Sequence, residues 1–336
     1  MTEVAAPQPS GTAPFRLVVV MPVFRDFEAA SVVCRAVDEQ VSALVGVEAR
    51  VLLVDDGSPA GQVGWAGFAP RGLSRIDVLV LKRNLGHQRA IAVALCHLYD
   101  AVPCDAVLVM DADGEDRAED IPRLLAELRR TPGSMVFAER RKRLEGLVFR
   151  AGYFFYRLLH RALTGVPVRV GNFSVLPASA LPRLVCMSEL WNHYAGAALR
   201  SRLPQVRLPT DRGSRAMGRS QMGGLIALVM HGIGGIATFH DVVATRLLVA
   251  SLGVVGALAA ALLGVVGIRF ATTLAIPGWA TYTAGLLLVL SIQVASVAFS
   301  LVLSLISTRT SATFLPCRDY SIFVSGTLPL GARGAA

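Results

Sequence analysis

The chain has 336 residues, 53% of them hydrophobic, a formal net charge of +9 and a mean hydropathy of +0.53. These values are too apolar for an ordinary soluble enzyme, and they point to membrane spans, with anionic lipid or phosphate ligands answering the basic balance. No finger spacing and no aromatic–basic interleave occurs, so nucleic acid is not an expected partner. Five scattered cysteines give neither a metal spacing nor a disulfide framework, which fits reduced thiols in a cytosol-facing domain.

Residues 1–14 are polar and rich in Ala and Pro, without a charged start leading into an apolar stretch. They read as a disordered tail, not a signal peptide. Arg16 to Met21 is a β-branched run ended by Pro22, the pattern of a buried parallel strand, and helical spacing follows from Glu28 to Leu44. Further strands are predicted at Val51 to Val54, Val78 to Leu81, Ala106 to Met110 and Met135 to Ala138, mostly separated by helical stretches. The alternation predicts an α/β fold with a parallel, doubly wound sheet.

Polar residues gather just past the strand ends: Pro22, then Asp55-Asp56-Gly57-Ser58, then Arg83-Asn84-Leu85-Gly86-His87-Gln88, then Asp111-Ala112-Asp113. Ligands bind at that edge of open α/β sheets, so four clusters there point to one site. Each also has a plainer reading. Asp55 to Ser58 is either a tight turn or a carboxylate receiving hydrogen bonds from a base or ribose. Asp111 and Asp113 either cap the helix near Glu119 or share a hard cation, magnesium or manganese, with substrate phosphates. The 83–88 segment opens a helix whose N–H groups suit a phosphate, and His87 reads as a hydrogen-bonded structural residue.

Basic residues follow the fifth strand (Arg140, Arg141, Lys142, Arg143, then Arg150), and Arg212, Arg215 and Arg219 with Ser220 form a second group. They suit either anionic lipid heads or a lipid-linked phosphate. Residues 219–241 read as an interfacial amphipathic helix region. Leu247 to Ile268 and, after Pro277-Gly278, roughly Tyr282 to Ile306 are charge-free and long enough to span a bilayer, with Trp279 and Tyr282 at an interfacial position. Arg246 before the first span and Arg309 and Arg318 after the second, against Arg269 alone between them, predict that both ends face the cytoplasm. The predicted organisation is therefore a catalytic domain at 15–218, the interfacial region, a two-helix anchor at 242–308 and a cytoplasmic tail at 309–336.

Taken in order, Met21-Pro22-Val23, Asp55-Asp56-Gly57-Ser58, Arg83-Asn84-Leu85-Gly86, Asp111-Ala112-Asp113-Gly114-Glu115-Asp116, Arg140 with Arg143 and Arg150, and Arg215-Ala216-Met217-Gly218-Arg219-Ser220 resemble the polyprenyl-phosphate branch of glycosyltransferase family 2. The resemblance runs from about Arg16 to Arg246. It implies a GT-A fold (Rossmann-like, mostly parallel sheet) with interfacial helices and two C-terminal transmembrane helices, in a multi-pass protein of the cell (inner) membrane whose catalytic domain is cytoplasmic. It implies inverting transfer from a UDP- or GDP-linked sugar to an undecaprenyl or decaprenyl phosphate, with Mg²⁺ or Mn²⁺. The residues implied for the nucleotide sugar are Pro22, Val23, Asp26, Asp55, Asp56, Asn84, Gly86, Asp111 and Ala112. Those implied for the metal are Asp111, Asp113 and Glu115, and for catalysis Asp113, Arg140 and Arg143. The acceptor phosphate falls to Arg140, Arg150, Arg215, Arg219 and Ser220. Arg25-Asp26, Glu115 and Gln221 depart from the family's usual Asn-Glu, Gln and Lys. Alternatives from the residues are a family 2 enzyme acting on a hydroxyl of a lipid or glycan, and a non-catalytic nucleotide-sugar-binding membrane protein. Paired short anchors also suit a homo-oligomer.

Overall fold

The computed structural model describes residues 13–59, 68–140, 147–166, 170–211, 213, 215, 232–273, 278–310 and 314–332; at 140, 147–153, 308–310 and 332 it describes the backbone alone. The chain divides into two compact units. One comprises Met1–Gly146, Arg169–Thr238 and Phe314–Ala336, the other Leu147–Val168 and Phe239–Thr313.

The first unit is built on one eight-stranded mixed sheet, a GT-A-like arrangement as predicted. Its strands are β1 (Phe15–Val23), β2 (Val47–Asp55), β3 (Leu73–Leu81), β4 (Ala106–Val109), β5 (Met135–Arg140), β6 (Ser174–Pro177), β7 (Gln205–Thr210) and β8 (Val324–Ala332), in the order β7-β5-β6-β4-β1-β2-β3-β8. The four central strands β4, β1, β2 and β3 are parallel. β6 runs antiparallel to β4 and β5, and β8 runs antiparallel to β3. The strand period of two explains the unbroken apolar runs. Along β1, Val18 and Val20 enter one core with α2 (His87–Ala101), while Leu17, Val19 and Met21 enter the other with α1 (Phe27–Ser42) and α3 (Ile121–Arg130). Each fully buried Val or Leu contributes about 1.5–3 kcal/mol.

All five strands expected from the sequence are present. The alternation did not reveal β6, β7 and β8. β6 has only four residues, and β7 and β8 contain prolines (Pro209, Pro329). Proline removes a ladder donor and is tolerated only toward sheet edges, which is where β7 and β8 lie. β8 also corrects the reading of 309–336 as a tail. Pro316 and Tyr320 are buried, and Val324–Ala332 pairs with β3 over Arg75–Leu81.

The second unit contains α4 (Leu147–Thr164) and two 32-residue helices, His240–Ala271 and Trp279–Thr310. Both long helices are apolar and long enough to cross a membrane, and only 6% of their most apolar stretches is buried. Arg246 donates to the carbonyls of Ala162 (2.7 Å) and Arg161 (3.4 Å) at the end of α4, a cation placed on a helix C-terminus.

Candidate active site

The carboxyl ends of the parallel strands bring the predicted acidic clusters to one edge. Val23 of β1 lies level with Asp55 of β2, and Pro22 with Val54. Asp55 is 1% exposed. Its Oδ1 accepts from the Ser58 N–H at 3.0 Å, and its Oδ2 is buried with no hydrogen-bond partner among the described residues. A buried carboxylate oxygen lacking a donor is costly, which makes this atom a candidate acceptor for a donor on a ligand.

Asp56 has a different task. Its Oδ1 accepts from the Leu85 N–H at 2.6 Å and its Oδ2 from the Gly86 N–H at 2.9 Å. Burial raises its pKa, and those two N–H groups pull against that rise. Both oxygens are spent on the β3–α2 loop, so Asp56 clamps that loop. Gly57, at φ +75°, lies beneath the same loop. A Cβ there would stand 2.5 Å from the Arg83 carbonyl carbon and the Asn84 nitrogen. Gly57→Ala is therefore expected to cost about 2 kcal/mol or more, since neither the left-handed backbone nor the backbone contact relaxes cheaply. A thermal melt of the variant within 1 °C of wild type would refute this.

Asp26, read as a nucleotide contact, caps α1 by accepting from Ala29 N–H at 3.4 Å. Arg25 sits at φ +59°, and its N–H donates to Ser58 Oγ at 2.9 Å, tying the β1 end to the Asp55 turn.

At the end of β4, the Asp111 N–H donates to Asp116 Oδ2 at 2.9 Å, which makes Asp116 the anchor of the 111–116 turn. Asp113 Oδ1 accepts from the Glu115 N–H at 2.9 Å, and Asp113 Oδ2 meets Arg215 Nη2 at 2.6 Å. The same Nη2 lies 3.6 Å from Glu115 Oε1. Burial raises the Asp113 pKa. The Glu115 N–H opposes the rise, the charges of Asp111 and Glu115 add to it, and Arg215 opposes it. Gly213 permits this approach: its N–H donates to Glu115 O at 2.9 Å, and a Cβ there would meet Gly114 O at 2.5 Å.

The three carboxylates read as a metal set do not converge. Among the described residues no group of three or more His, Cys, Asp or Glu could hold a metal ion. Asp113 and Glu115 share Arg215 instead, because neighbouring acids recruit a cation and the 213–215 segment supplies one. Asp111 and Asp113 nevertheless offer the hard oxygen donors that suit magnesium or manganese bound through one or two carboxylates and substrate phosphates.

A polar network absent from the sequence reading backs Asp111. His87 Nε2 lies 3.2 Å from Asp111 Oδ1 and 2.8 Å from Asn172 Nδ2. Gln88 Nε2 donates to Asn172 Oδ1 at 3.1 Å, and Gln88 Oε1 accepts from the Tyr194 N–H at 2.8 Å. Burial lowers the His87 pKa, but the carboxylates around it, Asp111 first, more than offset this, so it stands above the ordinary histidine value. These partners lie about 85 and 106 residues apart in sequence, so no local pattern could have joined them. Of the other predicted residues, Asn84, Gly86 and Ala112 lie in the described loops, whereas Arg143, Arg219 and Ser220 lie outside the described residues. Arg140 ends β5 and Arg150 lies in α4, with only their backbones described.

Residues 18–184 match the family model described as glycosyl transferase family 2. Over 112 residues the chain is 34% identical to undecaprenyl-phosphate 4-deoxy-4-formamido-L-arabinose transferase of Enterobacter sp. (strain 638), covering 32% of each chain. The chain thus spans about a third of the length of that curated relative. Among solved structures, glucosyl-3-phosphoglycerate synthase from Mycobacterium tuberculosis, in complex with Mn²⁺, UDP-glucose and phosphoglyceric acid, aligns with TM-score 0.47 and 19% identity, over 68% of this chain and 79% of that one. S. aureus TarS aligns with TM-score 0.42 and 12% identity, over 70% and 66%.

Proposed function

We propose, from the premise that residues 18–184 form a glycosyltransferase family 2 domain, that this chain moves a sugar from a nucleoside-diphosphate sugar to a polyprenyl phosphate at the cytoplasmic face of a membrane. The observation that carries the reading is the pairing of Asp113 with Arg215 across 102 residues, which joins the acidic strand edge to the basic segment ahead of the apolar helices. An acidic edge suits a metal–diphosphate donor, and a basic segment suits an acceptor phosphate.

The strand spacing fits such a donor. β2 and β4 flank β1, so Asp55, at the end of β2, and Asp111, just past β4, belong to strands roughly 10 Å apart, about the distance from a nucleotide's base to its diphosphate. The unpartnered Asp55 Oδ2 would accept an N–H of the base. Asp111 and Asp113 would hold a divalent ion, which when bound neutralises charge on the leaving diphosphate. Asp56 and Gly57 keep the β3–α2 loop rigid at the donor's edge. Arg215 would release Asp113 as donor arrives and turn its fork to phosphate oxygens. A phosphomonoester is already anionic near neutral pH, its second pKa being about 6, so its oxygen attacks the anomeric carbon without a general base. What the chain must supply is positioning and charge stabilisation. The printed name of the curated relative, an undecaprenyl-phosphate transferase, supports the lipid acceptor. The two apolar helices support a membrane location, and the arginines around them support the cytoplasmic orientation.

The test is label transfer from UDP- and GDP-sugars to undecaprenyl phosphate in detergent, with and without Mg²⁺ or Mn²⁺, beside the Asp55→Asn variant. Label should enter the lipid-phosphate fraction. Asp55→Asn should weaken nucleoside-diphosphate binding about tenfold with little loss of stability, because Oδ2 serves no donor among the described residues. Nucleotide binding without transfer to any lipid phosphate would instead favour a hydroxyl acceptor.

A further inference from the structure

The segment that follows the two apolar helices returns to the catalytic sheet, where it borders the β3–α2 loop. β8 pairs with β3 up to Leu81–Val324, one residue before that loop begins. The Lys82 N–H then donates to the Phe323 carbonyl at 2.8 Å, and the Arg83 guanidinium lies over the Phe323 ring at 5.9 Å. Phe323 is itself held in a cluster of rings. Trp191 stands 5.2 Å from it and 4.3 Å from Phe314, and Phe314 and Phe323 are 6.1 Å apart. Arg89, in the first turn of α2, lies over Trp191 at 5.4 Å. Below, Tyr320 is buried in the core beside α2.

The loop is therefore gripped from two sides. Asp56 takes the N–H groups of Leu85 and Gly86 from the β2 side. Phe323 takes the Lys82 N–H and faces Arg83 from the β8 side. β3 at Leu81 and α2 at His87 hold the two ends of the loop, and the two grips fix the backbone between them; losing one leaves fewer fixed backbone groups, and a less constrained loop samples more states before it binds.

We infer that Phe323 is a positioning residue for the donor site: through Lys82 and Arg83 it sets the β3–α2 loop, so donor binding depends on a segment that lies beyond the membrane helices in sequence. The inference rests on the proposed function only in naming the ligand that the loop meets. The ring offers a cation–π face that an aliphatic side chain of similar volume lacks. The backbone hydrogen bond survives any side-chain change, so substitution tests the ring alone.

The experiment compares Phe323→Leu and Phe323→Tyr in the full chain in detergent. Hydrogen exchange of the residue 82–88 amides is measured without ligand, and the affinity for UDP and GDP and the KM values for donor and lipid phosphate are measured alongside. Phe323→Leu is expected to speed exchange in the loop and to raise the donor KM and the nucleoside-diphosphate Kd about fourfold. The kcat and acceptor KM should stay within twofold, and Phe323→Tyr should restore all values. Unchanged loop exchange in Phe323→Leu would overturn the inference. So would a lowered Tm and kcat at constant donor KM, the mark of ordinary packing. If the wild-type chain shows no transfer, the proposed function fails, while the exchange comparison still decides whether Phe323 positions the loop.

Discussion

Asp113→Asn is expected to lower the kcat of the proposed sugar transfer by at least about a hundredfold while the protein stays folded. The magnitude is that of losing one preorganised charge at a reacting diphosphate. The fold persists because Asp113 is not there for stability. Burial holds its pKa above the ordinary aspartate value, only partly opposed by the Glu115 N–H and Arg215. A carboxyl whose folded pKa is raised favours the native state when protonated, and that contribution is lost as pH rises through the raised pKa. At neutral pH the ionised side chain is a net cost that asparagine removes. The variant should therefore melt at the same temperature as wild type or higher at pH 7.5, with the difference shrinking toward pH 4. Thermal melts at both pH values beside a transfer assay check this. A variant retaining a tenth of the activity, or one that melts well below wild type at pH 7.5, would remove Asp113 from the role given to it.

Ending the chain after Thr313 removes the returning segment, and the catalytic unit should then fail to fold stably, although every acidic cluster is still encoded. The truncation strips the partner from β3 along Arg75–Leu81 and uncovers a long strand edge of the kind that pairs with other chains. It also uncovers the core around buried Tyr320, at about 1.5–3 kcal/mol for each fully buried apolar side chain lost. Together with the unpaired β3 edge, that loss is a large share of the roughly 5–15 kcal/mol that holds a domain folded. Size-exclusion chromatography in detergent should show aggregate, and limited proteolysis should cut within residues 68–86. A monodisperse truncated protein that still binds UDP or GDP would mean that β8 is dispensable.

The two expectations concern different kinds of information. The strand edge carrying Asp55, Asp111 and Asp113 was legible because parallel strands buried on both faces are continuous apolar runs, and a run's end marks where polar chemistry begins. The apolar helices were legible because a membrane span needs only length and the absence of charge. The family resemblance was legible because its motifs keep their order along the chain.

What pairs with what across the fold was not legible. Asp55 and Asp56 are adjacent and identical in sequence, yet Asp55 leaves one oxygen without a partner among the described residues, whereas Asp56 spends both on the loop. The difference comes from the pleat, which turns successive side chains to opposite sides. Asp113 was readable as a metal ligand, but its contact with Arg215 depends on a segment 102 residues away that crosses at Gly213. The His87–Asn172–Gln88–Tyr194 network depends on β6 and on a helix whose residues carry no local sign of it. Residues 314–332 looked like a tail because Gly326, Pro329 and Gly331 break strand periodicity. An edge strand tolerates such residues, and only the exposed flank of β3 gives this one a place. Sequence by itself determined the five apolar strands, the acidic edge and the apolar helices, because each follows from local periodicity. Tertiary structure decided the partners, because a hydrogen bond or ion pair depends on distance in space, which one-dimensional spacing does not encode.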